Sequence, residues 1–338
     1  MSITIVLQQM VIIFLLIGTG IILYRRGMIS EESAKQISGL IINVTNPALL
    51  ICSALDDGPK ASLQELGTAL ITYAAVFVIF IAAGLMLPYI LRVPENLHYA
   101  YQMLTIFGNV GFIGIPLASA ALGSGSLIFV SIFNLLFNLL VYTLGISLLQ
   151  SAARRQAKES ASLSDGQASV PAGQASEGMV SSTNQFSCSR LQKLVNAGTV
   201  SAAVTIVFYL GNFHVPVIIS STLNYAGRAT TLLSMLVLGV SVAQMAPKDI
   251  FSSPKLYVFT LIRQILVPIG CVLLMRMFID NRLILNTMLL MAAVPAANMP
   301  LMLAKQMDMD TEAISQGIIL TTILSIATVP AACLFLVQ

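Results

Sequence analysis

The chain has 338 residues, 57% of them hydrophobic and only 9% charged. Soluble domains carry roughly 25% charged residues, so water is excluded as the solvent for most of this surface and a lipid bilayer takes its place. The net charge of +3, from 17 Lys and Arg against 14 Asp and Glu, is scattered over short loops, which gives no basic face and excludes nucleic acid as a partner.

A helix needs about 20 apolar residues to cross a hydrocarbon core of roughly 30 Å. Runs of that kind predict helices near Thr4–Tyr24, Ala34–Leu55, Leu66–Leu91, Tyr99–Leu122, Leu127–Gln150, Leu194–Leu210, Val217–Gln244, Leu256–Phe278, Leu283–Ala304 and Ile314–Val337. The first run lacks a basic leader and a small-residue cleavage site, so it is expected to remain as the first span.

Loops rich in Lys and Arg stay in the cytoplasm. With the N-terminus outside, the inner loops hold Arg25, Arg26, Lys35, Arg92, Arg154, Arg155, Lys158, Arg190, Lys193, Lys248, Lys255 and Lys305, and the outer loops hold only Lys60, Arg276 and Arg282. The expectation is a multi-pass protein of the cell membrane with both termini outside.

Between Ser151 and Ser189 hydrophobic periodicity vanishes and Ser, Ala, Gly and Gln dominate. Such a segment buries too little apolar surface to offset chain entropy, so a disordered cytoplasmic linker is expected there. It separates 1–150 from 190–338, five predicted helices in each. An odd number per half makes the second half enter the membrane from the opposite side, so the expected fold class is an all-α membrane protein built from two inverted five-helix repeats.

Segment four reads F-G-N-V-G-F-I-G-I-P-L from Phe107 to Leu117, with Gly108, Gly111 and Gly114 ahead of Pro116. Glycine lowers helix stability by about 1 kcal/mol and proline by about 3 relative to alanine, and proline also removes an amide donor. Segment nine, at the matching place in the second half, reads A-A-V-P-A-A-N-M-P-L, with Pro295 and Pro300 flanking Asn298. Paired breaks of this kind point to a midplane transport site, where the half-helices after Pro116 and Pro300 would aim free N–H groups at an anion. Asn109 and Asn298 lie within a turn or two of the breaks. They either contact a substrate carboxylate or satisfy carbonyls released by the prolines, and both roles are compatible.

Arg263 lies inside segment eight, five residues before Pro268. An arginine at that depth costs about 2.5–3.5 kcal/mol and needs compensation from backbone carbonyls, a water-filled cavity or the anion itself. Arg228 sits within segment seven, and Asn43, Asn46 and Pro47 interrupt segment two at the corresponding depth. Asn43 is expected to satisfy backbone at a kink. Asn134 and Asn138, four residues apart on segment five, share a face and are expected to bond a neighbouring helix or line the same cavity.

Cys52, Cys188, Cys271 and Cys333 lie far apart, and neither H-E-x-x-H nor G-x-S-x-G is present. No metal, cofactor or enzymatic nucleophile is therefore expected.

The run Gly108-Asn109-x-Gly111-Phe112-x-Gly114-x-Pro116 resembles a hallmark of the auxin efflux carrier family. Asn46-Pro47, Leu238-Gly239-Val240-Ser241, Arg263 before Pro268 and the Pro295/Pro300 stretch follow in the family's order over nearly the whole chain. The resemblance implies that segments four and nine cross at their breaks and hold a small organic anion, with Asn109, Pro116, Pro295 and Asn298 at the crossing. It further implies a scaffold of segments one, two, six and seven, a transport domain of segments three to five and eight to ten that moves as an elevator, and a homodimer. One departure is visible, because segment seven in the family reads close to Gly-Asn-Ala-Thr-x-Pro, whereas here Arg228 replaces the neutral polar residue and the proline is missing.

The competing readings are an anion channel, since broken helices also build filters, and a membrane receptor that binds a small ligand at the crossing. Inverted halves with midplane asparagines favour alternating access over both.

Overall fold

The computed structural model describes residues 3–55, 61–164, 197–211, 215–244, 254–305, 307 and 309–334. The helices of the first half are α1 (Ile3–Arg25), α2 (Glu31–Leu40), α3 (Asn46–Ala54), α4 (Leu63–Ile90), α5 (His98–Ile106), α6 (Ile115–Leu122), α7 (Leu127–Leu140) and α8 (Ile146–Ser164). Those of the second half are α9 (Ala197–Gly211), α10 (Val217–Ala243), α11 (Pro254–Leu261), α12 (Val267–Met275), α13 (Arg282–Ala293), α14 (Met299–Lys305) and α15 (Glu312–Cys333). Among the described residues there is no strand.

Five stretches are long and apolar enough to cross a membrane: Leu63–Ile90, Ser124–Arg155, Val217–Ala243, Pro254–Met275 and Glu312–Cys333. Shorter apolar helices cover Val11–Arg25, Val110–Leu122, Val200–Gly211 and Arg282–Ala293. Their solvent is written on α4, which buries Ala69, Tyr73, Val76, Phe77 and Phe80 on one face and turns Ile71, Val78 and Met86 outward. Such an apolar outer face is stable only against lipid or another apolar partner.

Helix ends follow local chemistry. In the capping box of α4 the Ser62 hydroxyl accepts from the Glu65 amide while the Glu65 carboxylate accepts from the Ser62 amide, so this helix starts at Leu63 and not at Leu66 as the apolar run predicts. Helix α8 runs on to Ser164, past Gln150, so the first part of the expected linker is helical, and 165–189 lies outside the described residues.

The prolines produce a repeated device. Turns of π-helix occupy Ile41–Thr45, Val110–Gly114 and Ile262–Leu266, and each is followed at the second position by a proline, Pro47, Pro116 and Pro268. The residue before the proline donates its N–H five positions back, from Asn46 to Ile41, from Ile115 to Val110 and from Val267 to Ile262. A proline ring clashes with the carbonyl four residues earlier, and the wider turn moves that carbonyl aside without ending the helix. A further π turn, Val141–Gly145, joins α7 to α8 with no proline after it.

Packing gathers α1 on α10, with α9 and α10 both on α3. The contact of α1 with α10 is backbone on backbone, because a Cβ added at Gly20 would overlap the Leu236 carbonyl and one added at Gly239 would overlap the Ile17 carbonyl. Small residues that let helices approach this closely are the usual adhesive of membrane bundles, where apolar side chains gain nothing over lipid. A second set of contacts joins α4 to α5 and α7, and α15 to α11 and α13.

Candidate functional site

The two breaks meet. Segment four is interrupted at Phe107–Asn109, between α5 and the π turn, and segment nine at Val294–Asn298, between α13 and α14. Gly108 and Ala296 form an isolated antiparallel bridge. The Asn109 N–H donates to the Pro295 carbonyl at 2.7 Å and the Ala297 N–H donates to the Phe107 carbonyl at 2.9 Å. Peptide groups that lipid would leave unpaired thus satisfy one another across the crossing.

The position of the first break differs from expectation. Pro116 does not end a helix here; the π turn absorbs it, and the half-helix begins at Asn109, seven positions earlier in the chain. Its Oδ1 accepts from the Phe112 N–H at 3.2 Å, the geometry of an N-cap. Asn109 is 2% exposed, and its Nδ2 has no protein acceptor.

Arg263 reaches the same place from the π turn between α11 and α12. Nε donates to the Leu104 carbonyl at 3.2 Å, Nη1 to the Ala292 carbonyl at 3.3 Å, and Nη1 also to the Val294 carbonyl. Leu104 lies in the last turn of α5, while Ala292 and Val294 lie at the end of α13, so one guanidinium caps the negative ends of both half-helices. Phe80 lies beneath it at 5.6 Å from the ring centre. Backbone carbonyls, one of the three partners open to Arg263 from sequence, take its Nε and Nη1. Gly108 is needed for this arrangement, since an added Cβ would stand 2.8 Å from Nη2 of Arg263 and 2.9 Å from Cγ2 of Val294.

Pro295 contributes its carbonyl, Asn298 lies half-buried on the bend before α14, and Pro300 sits in the first turn of that helix. Gly114 packs against the Met291 sulfur, so α13 lies along the second half of segment four. Asn46 donates from Nδ2 to the Gly111 carbonyl at 3.4 Å, while its Oδ1 is buried without a protein donor. Asn43 bonds the Gly39 carbonyl at 2.8 Å, as a kink-satisfying asparagine should. Asn134 and Asn138 differ from expectation: Nδ2 of Asn138 donates to the Asn134 carbonyl at 2.8 Å and to its Oδ1 at 3.2 Å, along one helix and not across two.

Sequence reasoning passed over several supports. Thr321 accepts from the Ala296 N–H at 3.2 Å, and Gln264 ties Thr321 and Thr328 of α15 to the segment that carries Arg263. Ser234 of α10 donates to the Phe112 carbonyl at 3.2 Å, and the hydroxyls of Thr45 and Thr230 are buried without partners. Weighing buried hydroxyls and Gln264 as heavily as Arg263 would have exposed them.

Toward the C-terminal end of α3 from Asn46 a cavity of about 590 Å³ opens between α3, α10 and the end of α6. Arg228, Asn224, Ser220 and Ser221 line it with Cys52 and Ser119, and the crossing residues do not.

A crossing of two interrupted helices locked by an arginine sits within a chain whose residues 5–332 match the family model described as membrane transport protein. The chain belongs to this family, that of the auxin efflux carriers. It is also 21% identical over 328 residues to an uncharacterized transporter of Methanocaldococcus jannaschii, covering 96% of each chain. Membership places the protein in a membrane and makes it a transporter, and Gly108 and Asn109, which open the run that resembles the family's, form the crossing with Pro295 to Ala297.

Proposed function

We propose that this protein is a secondary carrier that moves a small organic anion across the cell membrane by alternating access, with Asn109 donating to the substrate at the crossing. The observation that carries this reading is the Nδ2 of Asn109, a donor buried with no protein acceptor. Leaving such a group unpaired costs about 1–3 kcal/mol. A folded chain retains that cost where a ligand relieves it, and a carboxylate oxygen is a suitable acceptor. The N-terminus of the π turn beginning at Val110 adds its positive dipole end to the same spot.

In this reading the chain forms ten spans as two inverted repeats, with both termini outside. Segments one, two, six and seven are the scaffold, and segments three to five and eight to ten carry the site as an elevator within a homodimer. Arg263 is a positioning residue, since its Nε and Nη1 are engaged by carbonyls of both half-helices. Asn298 faces the substrate from the opposite break.

The test is a thermal-shift screen of the purified protein against small carboxylates, followed by counterflow in proteoliposomes with any that stabilise. A ligand that binds only the folded state at 100 times its Kd stabilises by about 2.7 kcal/mol. Saturable counterflow is the expected result. Flux that neither saturates nor exchanges would mark a channel, and stabilisation without flux would mark a receptor.

A further inference from the structure

The cavity on Arg228 plays no part in the crossing, yet it leads toward it. Helix α10 runs antiparallel to α3: the Cys52 thiol contacts the Ser220 carbonyl at 4.0 Å, and a Cβ on Gly227 would stand 2.9 Å from the Cα of Leu49. Continuing that register one turn places Thr230 opposite Asn46. Leu49 and Arg228 line the cavity, so its inner end lies one helical turn, about 5 Å, from Asn46. Asn46 in turn touches Gly111 of the π turn that Asn109 caps.

Arg228 is placed where an arginine is expensive. It stands eleven residues into α10 from Val217, roughly 17 Å along the helix at 1.5 Å per residue. A guanidinium at that depth of a membrane helix faces water or a counter-charge. Arg228 is exposed, and it is the one charged side chain among the described residues lining the cavity. Serine hydroxyls and Asn224 line the cavity with it, groups able to donate to an anion, and no carboxylate is among the described lining residues.

We propose that this cavity is an anion-binding antechamber: a small carboxylate or sulfonate docks on Arg228 with Asn224 and the serines before passing inward to the crossing. The proposal rests on the anion-carrier reading and adds a second, shallower subsite to it. A cleft of one charge sign between low-dielectric walls concentrates the opposite ion.

Cys52 in the cavity wall provides the readout. Purified Cys188→Ser protein is treated with sulfonatoethyl methanethiosulfonate or trimethylammonioethyl methanethiosulfonate, reagents alike except in charge, with Cys52→Ser as control and intact mass as the measurement. After normalisation to a free thiol, the sulfonate is expected to react at least about tenfold faster than the ammonium. Arg228→Lys keeps that preference, and Arg228→Gln abolishes it. Equal rates in the parent, a preference that survives Arg228→Gln, or a Cys52 that reacts with neither reagent each overturn the proposal. Failure of the crossing as the transport site appears elsewhere, in Asn109→Asp, which leaves labelling of Cys52 unchanged.

Discussion

The N–H of Asn109 donates to the carbonyl of Pro295 at 2.7 Å, joining residues 186 positions apart in the sequence at the one place where both their helices are open. The amide side chain of the same asparagine is then divided, its oxygen capping Phe112 and its nitrogen buried without a protein acceptor.

That division makes Asn109→Asp a sharper test than Asn109→Ala. Aspartate keeps the oxygen that caps Phe112 and replaces the Nδ2 donor with a charge that repels anions, so the fold is expected to survive while carboxylate binding is lost. Alanine removes the cap as well, with about 1 kcal/mol of stability. Thermal unfolding with and without the carboxylate measures both, and a full ligand shift in Asn109→Asp refutes a substrate role for this side chain.

Arg263→Gln has the opposite signature. Three carbonyls lose a charged donor in a buried site, and a loss of at least about 2 kcal/mol is expected. The deficit appears in ligand-free protein as a lowered unfolding midpoint. A variant as stable as the parent but weaker for anions would place Arg263 on the substrate instead.

Pro116→Ala restores an amide and raises local helix propensity by up to about 3 kcal/mol. The turn Val110–Gly114 is then expected to close, and closing it to an α-turn rotates everything on its N-terminal side by about 100°. Stability equal to or above that of the parent, with transport lost, is the expected pairing. Unimpaired transport would show that the π turn survives without its proline.

Gly239→Ala is expected to part α1 from α10, since the new methyl overlaps the Ile17 carbonyl. Gly18→Ala, on the same helix as Ile17 but with nothing within 4 Å of its Cβ, is the matched control and should be neutral. Yield of folded protein after extraction separates the two, and equal yields argue against a backbone clasp.

Apolar runs were enough to show an all-helical chain with five stretches long enough to cross a membrane, because length and hydrophobicity are summed over twenty residues and tolerate local error. The breaks were legible as well, from Gly108 to Pro116 and from Pro295 to Pro300. What the sequence hid was the difference between a proline that ends a helix and one that widens it: Pro295 lies in a true gap, whereas Pro116 sits in an uninterrupted run of turns. Both carry the same ring and the same missing donor, and the outcome depends on whether a partner such as the Phe107 carbonyl waits across the gap. The partner of Arg263 was hidden for a similar reason, since carbonyls leave no mark in a sequence. Asn134 and Asn138 shared a face as their spacing required, yet spacing alone does not say whether a side chain bonds along its own helix or across to the next.

The grip of one guanidinium on the ends of α5 and α13 has a mechanical consequence. Two rods pinned at a common point cannot slide past each other without tearing the pin, so the crossing behaves as a welded joint. In the carrier reading proposed above, motion of the crossing is borrowed from looser contacts such as the 3.4 Å one between Asn46 and the Gly111 carbonyl, so a chemical bridge laid across that seam is expected to arrest transport while one laid within the joint passes unnoticed.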